Sequence, residues 1–136
     1  MIELTGSLED YLETIYLLQQ RDGSVRITDI AKSLNFSKPS VSKAVNILKE
    51  NGLLSQKKYG KINLTERGVN FAKEIYFRHK SLLKFLIDDV GIDPQIAEGE
   101  ACKIEHDISK DSILKIISYA NKMKTFKETY SDKKHS

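Results

Sequence analysis

Helical periodicity is the feature that most constrains how this chain can fold. Only two prolines and seven glycines punctuate 136 residues, and long stretches between them repeat apolar residues every three or four positions. Residues 7–22 are the first example. Their apolar positions are Leu8, Tyr11, Leu12, Ile15 and Leu18. Six such segments follow one another along the chain, which predicts a mainly α protein.

Capping residues and helix breakers divide the periodic segments. Pro39 and Pro94 each fall in a first helical turn, where a missing N–H has little effect. Glycines at 23, 52 and 91 are natural terminators, the last of them near the end of a long fourth helix. The polar tail after residue 123 is expected to fray. The predicted N-caps of five helices are Ser7, Thr28, Ser37, Thr65 and Ser109.

Residues 53–64 interrupt the helical pattern. Apolar residues alternate on both sides of the polar, basic stretch "KKYGK". This alternation predicts a two-stranded hairpin with Gly60 near its tip. A helix, a tight turn, a second helix and a basic hairpin are the succession found in a winged helix-turn-helix domain.

The charge is distributed unevenly. Residues 21–73 carry eleven Lys and Arg against four Asp and Glu, whereas residues 74–113 carry five against nine, although the net charge is only +3. A basic segment beside an acidic one suggests a surface for a polyanion next to a region for cations. The alternative is that solvent-exposed helix faces cluster by chance, which would give the same counts of charged residues.

The second helix of the pair and the hairpin carry the predicted DNA contacts. Small hydroxyl side chains permit close approach to a duplex, and lysines can bind phosphates. The predicted helix residues are Ser37, Lys38, Ser40, Ser42, Lys43 and Asn46; those of the hairpin are Lys57, Lys58 and Lys61. Polar outer faces also occur on any amphipathic helical domain. The helix face lacks Arg and Gln, so dimerisation or recognition of DNA shape would have to supplement base reading.

Several classes of protein are disfavoured. No apolar run approaches the roughly 20 residues that span a bilayer. The acidic start "MIELTGSLEDY" resembles neither a signal nor a transit peptide. One cysteine excludes an internal disulfide, which favours a reducing, cytoplasmic location without a membrane partner.

The stretch "ACKIEHDIS" at 101–109 places three kinds of metal-binding group together. On a helix, Cys102, Glu105 and His106 share one face at i, i+3 and i+4. Asp10 and Glu13 form a second i, i+3 pair, and the long helix offers His79. Together these donors suit a divalent first-row metal. Each also has an ordinary explanation: a solvated acidic face, a packed histidine or a small buried thiol.

Several stretches match one family in order and spacing. They are "SLEDYLETIY" at 7–16, "ITDIAKSL" and "SKPSVSKAVNILKENGLL" within 27–54, "LTERG" at 64–68, "RHKSLLKFL" at 78–86 and "ACKIEHDIS". Through them the chain resembles the diphtheria toxin repressor family of metal-dependent transcriptional regulators. Its short members, the manganese transport regulators, are the more similar ones.

The resemblance implies a ligand set. It assigns metal-binding roles to Asp10, Glu13, His79, Cys102, Glu105 and His106. Manganese sensors have glutamate where this chain has Cys102, and iron sensors have methionine where it has Asp10, so the site is a hybrid. Mn(II) or Fe(II) is expected, with Zn(II) or Co(II) possible in vitro. The ancillary site of iron sensors falls on His79, Leu83 and Glu98; Leu83 cannot ligate, which leaves Glu98 as a possible additional ligand.

The resemblance also implies an activity. Residues 1–72 are expected to form a winged helix-turn-helix DNA-binding domain, and residues 73–136 a helical metal-binding and dimerisation domain. A homodimer would bind double-stranded operator DNA when metal is bound and repress genes of metal uptake and homeostasis. No enzymatic activity and no small-molecule substrate are expected. A metal-independent winged-helix module and, less favoured, a small metalloenzyme are the alternatives.

Overall fold

The computed structural model describes residues 4–57 and 60–134, without the side chains of 127, 128 and 130–134. Lys58 and Tyr59 lie outside the described residues. The chain divides into two compact units, Met1–Tyr76 and Phe77–Ser136. The division falls inside the fourth helix, and each unit has its own apolar core.

Three helices open the first unit: α1 (Gly6–Asp22), α2 (Ile27–Leu34) and α3 (Lys38–Glu50). The apolar stripe of α3 is buried, since Val41, Ala44, Val45 and Leu48 all lie in the core. On α1, Tyr11, Leu12, Ile15 and Leu18 are buried in the same core. Packing of amphipathic faces against one another, rather than intrinsic propensity, holds these short helices.

Two of the predicted N-caps are wrong. Thr5, not Ser7, caps α1, because its hydroxyl accepts a hydrogen bond from the Leu8 N–H at 3.2 Å. Thr28 lies inside the first turn of α2. That helix starts earlier because the Asp29 carboxylate reaches back and accepts the Arg26 N–H at 2.9 Å. In both cases a side chain three residues away along the chain satisfies a backbone donor at the helix end.

The predicted start of α3 is confirmed. Ser37 is extended, and its hydroxyl accepts the Ser40 N–H at 3.3 Å. The turn before it contains Asn35 with a left-handed φ of 57°, a conformation that asparagine tolerates better than most residues. The two helices α2 and α3 are therefore joined by a tight turn, as a helix-turn-helix requires.

The hairpin follows α3. Its strands are β1 (Leu54–Gln56) and β2 (Ile62–Leu64), antiparallel, with Leu54 opposite Leu64. Val25, between α1 and α2, forms a further bridge to Ile62, whose N–H donates to the Val25 carbonyl at 2.7 Å. The hairpin is thus hydrogen-bonded to the linker between the first two helices, as the wing of a winged helix domain.

The fourth helix, α4 (Glu66–Lys84), begins against this wing. Thr65 caps it as predicted: its hydroxyl accepts the Gly68 N–H at 3.0 Å and donates to the Gly52 carbonyl at 2.6 Å. The helix continues as a π-helical segment (Phe85–Val90) and stops at Gly91, where φ is 86°. The predicted end near Gly91 is confirmed.

Helices α5 (Pro94–Asp107) and α6 (Lys110–Lys134) complete the second unit. Its core comprises Leu82, Leu86, Ala97 and Ala101, with Ile104 and Ile116 among the half-buried residues around it. The two alanines, four positions apart on α5, present little bulk on one face, which allows close helix packing. Ser109 caps α6 as predicted, since its hydroxyl accepts the Ser112 N–H at 3.1 Å.

The structure differs from expectation at the tail. Helix α6 does not fray after residue 123 but continues to Lys134. No proline or glycine interrupts this stretch. The Thr125 hydroxyl donates to the Asn121 carbonyl at 3.1 Å, and the Thr129 hydroxyl donates to the Thr125 carbonyl at 2.9 Å. Beside its buried face, α6 exposes Tyr119, Met123 and Phe126 along one side, which we call the α6 outer stripe.

Within the part of the chain that the structure describes, no helix is both long enough and apolar enough to cross a bilayer.

Gly68 and Gly99 provide a matched test of the packing. A Cβ at Gly68 would overlap the carbonyl oxygen of Leu53, whereas one at Gly99 on α5 would meet no atom within 4 Å. We expect Gly68→Ala to lower the free energy of unfolding by about 1–3 kcal/mol, or more if the backbone cannot shift. Gly99→Ala should raise it by about 0.5–1 kcal/mol.

Urea denaturation followed by circular dichroism measures both variants. Equal stabilities of Gly68→Ala and the wild type would show that α4 is not packed against the wing as described.

Candidate metal centre and nucleic-acid interface

Five of the predicted donors lie in the second unit, on two helices. Helix α4 carries His79. Helix α5 carries the other four at positions 98, 102, 105 and 106, a spacing of four, three and one that keeps them on one side of the helix. These four donors are Glu98, Cys102, Glu105 and His106.

His79 is held between two carboxylates of α5. Its Nδ1 lies 2.8 Å from Glu105 Oε2, and its Nε2 lies 2.8 Å from Glu98 Oε1. The side chains of His79 and Glu105 are only 13% and 11% exposed, whereas that of Glu98 is 63% exposed. Both ring nitrogens of the imidazole are therefore engaged by oxygen atoms that accept hydrogen bonds when ionised.

These contacts bear on how His79 could bind a metal. A ligating ring nitrogen must give up its carboxylate partner, while the other nitrogen commonly keeps a carboxylate that fixes the ring. Displacing Glu98 from the ring costs less free energy than displacing Glu105, because the Glu98 side chain is already largely hydrated. Nε2 is therefore the nitrogen better placed to become a ligand, and Glu105 the carboxylate better placed to orient the ring or to bind beside it.

Cys102 and His106 form the second pair of donors. The Cys102 sulfur lies 3.4 Å from His106 Nε2, one helical turn along α5. A thiol and an imidazole at this distance, on the same helix as two carboxylates, give a mixed set of hard and soft donors. Such a set fits a divalent first-row transition metal. It does not fit Ca²⁺, which prefers a site built from oxygen donors alone.

Asp10 and Glu13 lie in the first unit, three residues apart on α1. The structure therefore places this pair on one helix, as expected from the sequence. Leu83, at the position that resembles an ancillary ligand, packs against the core of the second unit. The metal-binding roles of Asp10 and Glu13, like those of the donors in the second unit, remain predictions.

Glu98 has a larger part than the sequence suggested. It was expected only as a possible additional ligand, yet it bonds directly to His79. Its spacing from Cys102 and Glu105, at i, i+4 and i+7, could have placed it on their face of α5. The partner on α4 could not be found in this way, because it depends on how the two helices pack.

The predicted DNA-binding face of α3 is accessible. Ser37, Lys38, Ser40, Lys43 and Asn46 are exposed and Ser42 is half-buried. The Ser37 hydroxyl also donates to the Ser40 hydroxyl at 2.9 Å, so both groups lie at the N-terminus of the helix. Backbone N–H groups at a helix N-terminus favour a phosphate.

The wing presents further positive charge. Lys57 and Lys61 are exposed on either side of the tip, and the Lys57 N–H donates to the Lys61 carbonyl at 2.9 Å. Lys58, the third predicted contact, lies outside the described residues. Lys49 donates to the Gln56 side chain at 3.1 Å, which ties α3, the predicted recognition helix, to the wing. The first unit thus offers a helix and a hairpin that could contact one duplex together.

A winged helix domain with a basic face, followed by helices that gather metal donors, defines a class: DNA-binding regulators that respond to a metal. Comparison with known proteins gives the family. Residues 3–62 match the domain described as "Iron dependent repressor, N-terminal DNA binding domain", and residues 65–129 match "Iron dependent repressor, metal binding and dimerisation domain". The chain belongs to this family of iron-dependent repressors, the one that its motifs resemble.

Curated relatives agree over most of the chain. An uncharacterized HTH-type transcriptional regulator of Methanocaldococcus jannaschii is 37% identical over 131 residues, covering 96% of this chain and 99% of the relative. The HTH-type transcriptional regulator MntR of Bacillus subtilis is 37% identical over 112 residues, covering 82% of this chain and 78% of the relative.

Solved structures agree in fold. The manganese regulator SloR has a TM-score of 0.72 at 28% identity, and IdeR of T. acidophilum has 0.71 at 28%; each alignment covers 88% of this chain. The chain spans 55% of the length of those two proteins. The hypothetical protein SSo2273 of Sulfolobus solfataricus is matched over 91% of its length, with a TM-score of 0.67 at 28% identity.

The family settles the general function. The protein is a metal-dependent transcriptional regulator with a winged helix-turn-helix domain and an all-α dimerisation domain, and it is not an enzyme. The expected fold class is confirmed.

Glu105→Gln tests the metal centre. We expect the affinity for Mn(II) to fall about 10- to 100-fold, because the amide keeps the shape of the side chain but removes the charge beside His79. Isothermal titration calorimetry of the whole protein measures it. Glu100→Gln, an exposed position on the same helix, is the control and should leave the affinity unchanged. Equal losses in the two variants would mean that only the overall charge of α5 matters.

Removal of lysines from the wing tests the nucleic-acid interface. A lysine that binds phosphate contributes to the salt dependence of DNA affinity. Lys57→Ala and Lys61→Ala should each reduce the slope of log affinity against log salt concentration by about one. Lys103→Ala, exposed on α5, should not change it. Fluorescence anisotropy at several salt concentrations gives the slopes; unaltered slopes for both wing variants would remove the wing from the interface.

Proposed function

We propose that this protein is a repressor that binds operator DNA as a homodimer when Mn(II) or Fe(II) occupies its metal centre, and that it controls genes of metal uptake. The observation that carries the proposal is His79, held at 2.8 Å by both Glu98 and Glu105 beside the Cys102–His106 pair. Five donors of the kinds such ions prefer are gathered on two helices of the family's metal-binding domain.

The proposed ligands combine the geometry of the second unit with the family resemblance. His79, Cys102, Glu105 and His106 are supported by their mutual contacts. Asp10 and Glu13 are proposed from the resemblance, and Glu98 is a candidate additional ligand. When bound, the cation would supply positive charge that offsets the repulsion among these carboxylates.

The mixture of donor types fits two ions, Mn(II) and Fe(II), as the physiological signal. Carboxylates and imidazoles suit Mn(II), and a thiol at Cys102 favours Fe(II) more than a glutamate would. SloR is described as a manganese regulator, and the family as iron-dependent. Zn(II) and Co(II) would also bind such a site in vitro without being the signal.

The proposed DNA contacts follow from the first unit. The exposed face of α3 would lie in the major groove, and Lys57, Lys58 and Lys61 of the wing would reach the adjacent backbone. Two copies are needed for two half-sites, which on one face of a duplex lie roughly 34 Å apart. We assign DNA binding to residues 1–72 and metal binding with dimerisation to residues 73–136, and we place the protein in the cytoplasm.

A DNA-binding titration with and without metal tests the function. The probe is a duplex selected from a random library with the Mn(II)-bound wild-type protein, and a shuffled duplex is the control. We expect Mn(II) or Fe(II), the latter under anaerobic conditions, to tighten binding of the selected duplex about 5- to 150-fold over binding in excess chelator.

Zn(II) serves as the comparison ion in the same titration. Equal affinity with metal and with chelator would overturn the proposal in favour of a metal-independent winged-helix module.

A further inference from the structure

Phe36 is a large aromatic residue in the turn before the recognition helix, and its side chain is 48% exposed. The ring packs against Tyr11 of α1, with ring centroids 5.8 Å apart and planes inclined by 51°. Both residues belong to the first unit. A tilted pair at this distance is a favourable aromatic arrangement, although about half of Phe36 remains exposed.

Each of the two rings lies next in sequence to a residue of a proposed binding site. Tyr11 is 5% exposed and belongs to the core of the first unit, so its ring moves together with α1 and that core. It follows Asp10 directly and precedes Glu13 by two residues, the two proposed ligands of α1. Any restraint on those carboxylates is therefore a restraint on the backbone that carries Tyr11.

Phe36 in turn precedes Ser37, the N-cap of α3. Its N–H donates to the Ala31 carbonyl at 3.1 Å, next to the left-handed Asn35. An apolar residue just before an N-cap commonly fixes the direction in which the chain begins the helix. Here the ring links that position to α1, so the start of the recognition helix and the ligand-bearing segment of α1 share one contact.

We propose that Phe36 is a positioning residue that couples metal binding on α1 to DNA binding by α3. This inference rests on the proposed function, because it takes Asp10 and Glu13 as ligands. Restraining α1 narrows the positions open to Tyr11, and through the ring contact those open to the turn before α3. The recognition helix then loses less conformational freedom on binding DNA, and the two sites are coupled in free energy.

Phe36→Ala separates this role from others. Three quantities are measured for each protein: Mn(II) affinity without DNA, affinity for the selected duplex in chelator, and affinity for the same duplex in saturating Mn(II). We expect the ratio of the two DNA affinities to fall about threefold to tenfold, the scale of an aromatic pair. Mn(II) affinity without DNA and DNA affinity in chelator should stay within twofold of the wild type.

Matched variants make the result specific. Phe36→Tyr keeps the ring and should retain the wild-type ratio. Leu17→Ala removes a comparably exposed apolar side chain, 42% exposed on α1, and should also leave the ratio unchanged. Circular dichroism confirms that each variant is folded, and Phe36→Leu, which keeps apolar bulk without the ring, should show the reduced ratio if Phe36→Ala is unstable.

Two results would overturn the role of Phe36. Weaker DNA binding by the same factor with and without Mn(II) would mean that Phe36 touches DNA directly. Wild-type affinity in both conditions would mean that the ring contact transmits nothing. Failure of the proposed function is recognised separately, since it would appear in the wild-type protein as equal DNA affinity with Mn(II) and with chelator.

Discussion

The candidate metal centre depends on the two contacts that the His79 ring makes with α5. They join α4 to α5 through hydrogen bonds of 2.8 Å to Glu98 and Glu105. The two carboxylates differ in their surroundings, one almost enclosed and the other mostly in water. A sheltered carboxylate that lost its partner would be costly, whereas an exposed one is readily rehydrated. The ring is therefore anchored on one side and exchangeable on the other, which suits a side chain that must both hold its orientation and accept an ion.

The first unit depends on close backbone packing. Helix α4 starts so near to β1 that Gly68 leaves no room for a side chain, and Thr65 bonds to both the helix and the Gly52 carbonyl. Lys49 and Val25 attach the wing to α3 and to the linker after α1. The recognition helix and the wing therefore form one hydrogen-bonded framework, in which the polar face of α3 is left outward.

Sequence patterns predicted those parts of the fold that local rules determine. The start of α3 at Ser37 follows from helix capping, and the hairpin around Gly60 follows from apolar alternation. The helix end at Gly91 follows from the left-handed conformation that glycine permits. Thr5 was missed because Ser7 offers the same chemistry two residues later, and only the backbone angles decide between them. The continuation of α6 was missed because a polar segment without breakers carries no periodic signal.

The candidate site shows the same limit. Cys102, Glu105 and His106 could be grouped from their spacing on one helix, since that grouping needs only the helical repeat. The bond from Glu98 to His79 could not be foreseen, because it joins residues 19 positions apart through the packing of α4 on α5. Spacing identifies donors on one element, and tertiary structure decides which of them meet.

The α6 outer stripe has a thermodynamic consequence. A helix of 25 residues is roughly 37 Å long, and Tyr119, Met123 and Phe126 are exposed along it in a single chain. The family pairs through this domain. If pairing covers the stripe, folding of the second unit and association of two copies become one equilibrium, governed by mass action. Dilution alone would then lower the helical order at the C-terminal end of α6. The concentration of the protein in a cell would therefore help to set the folded fraction of the second unit.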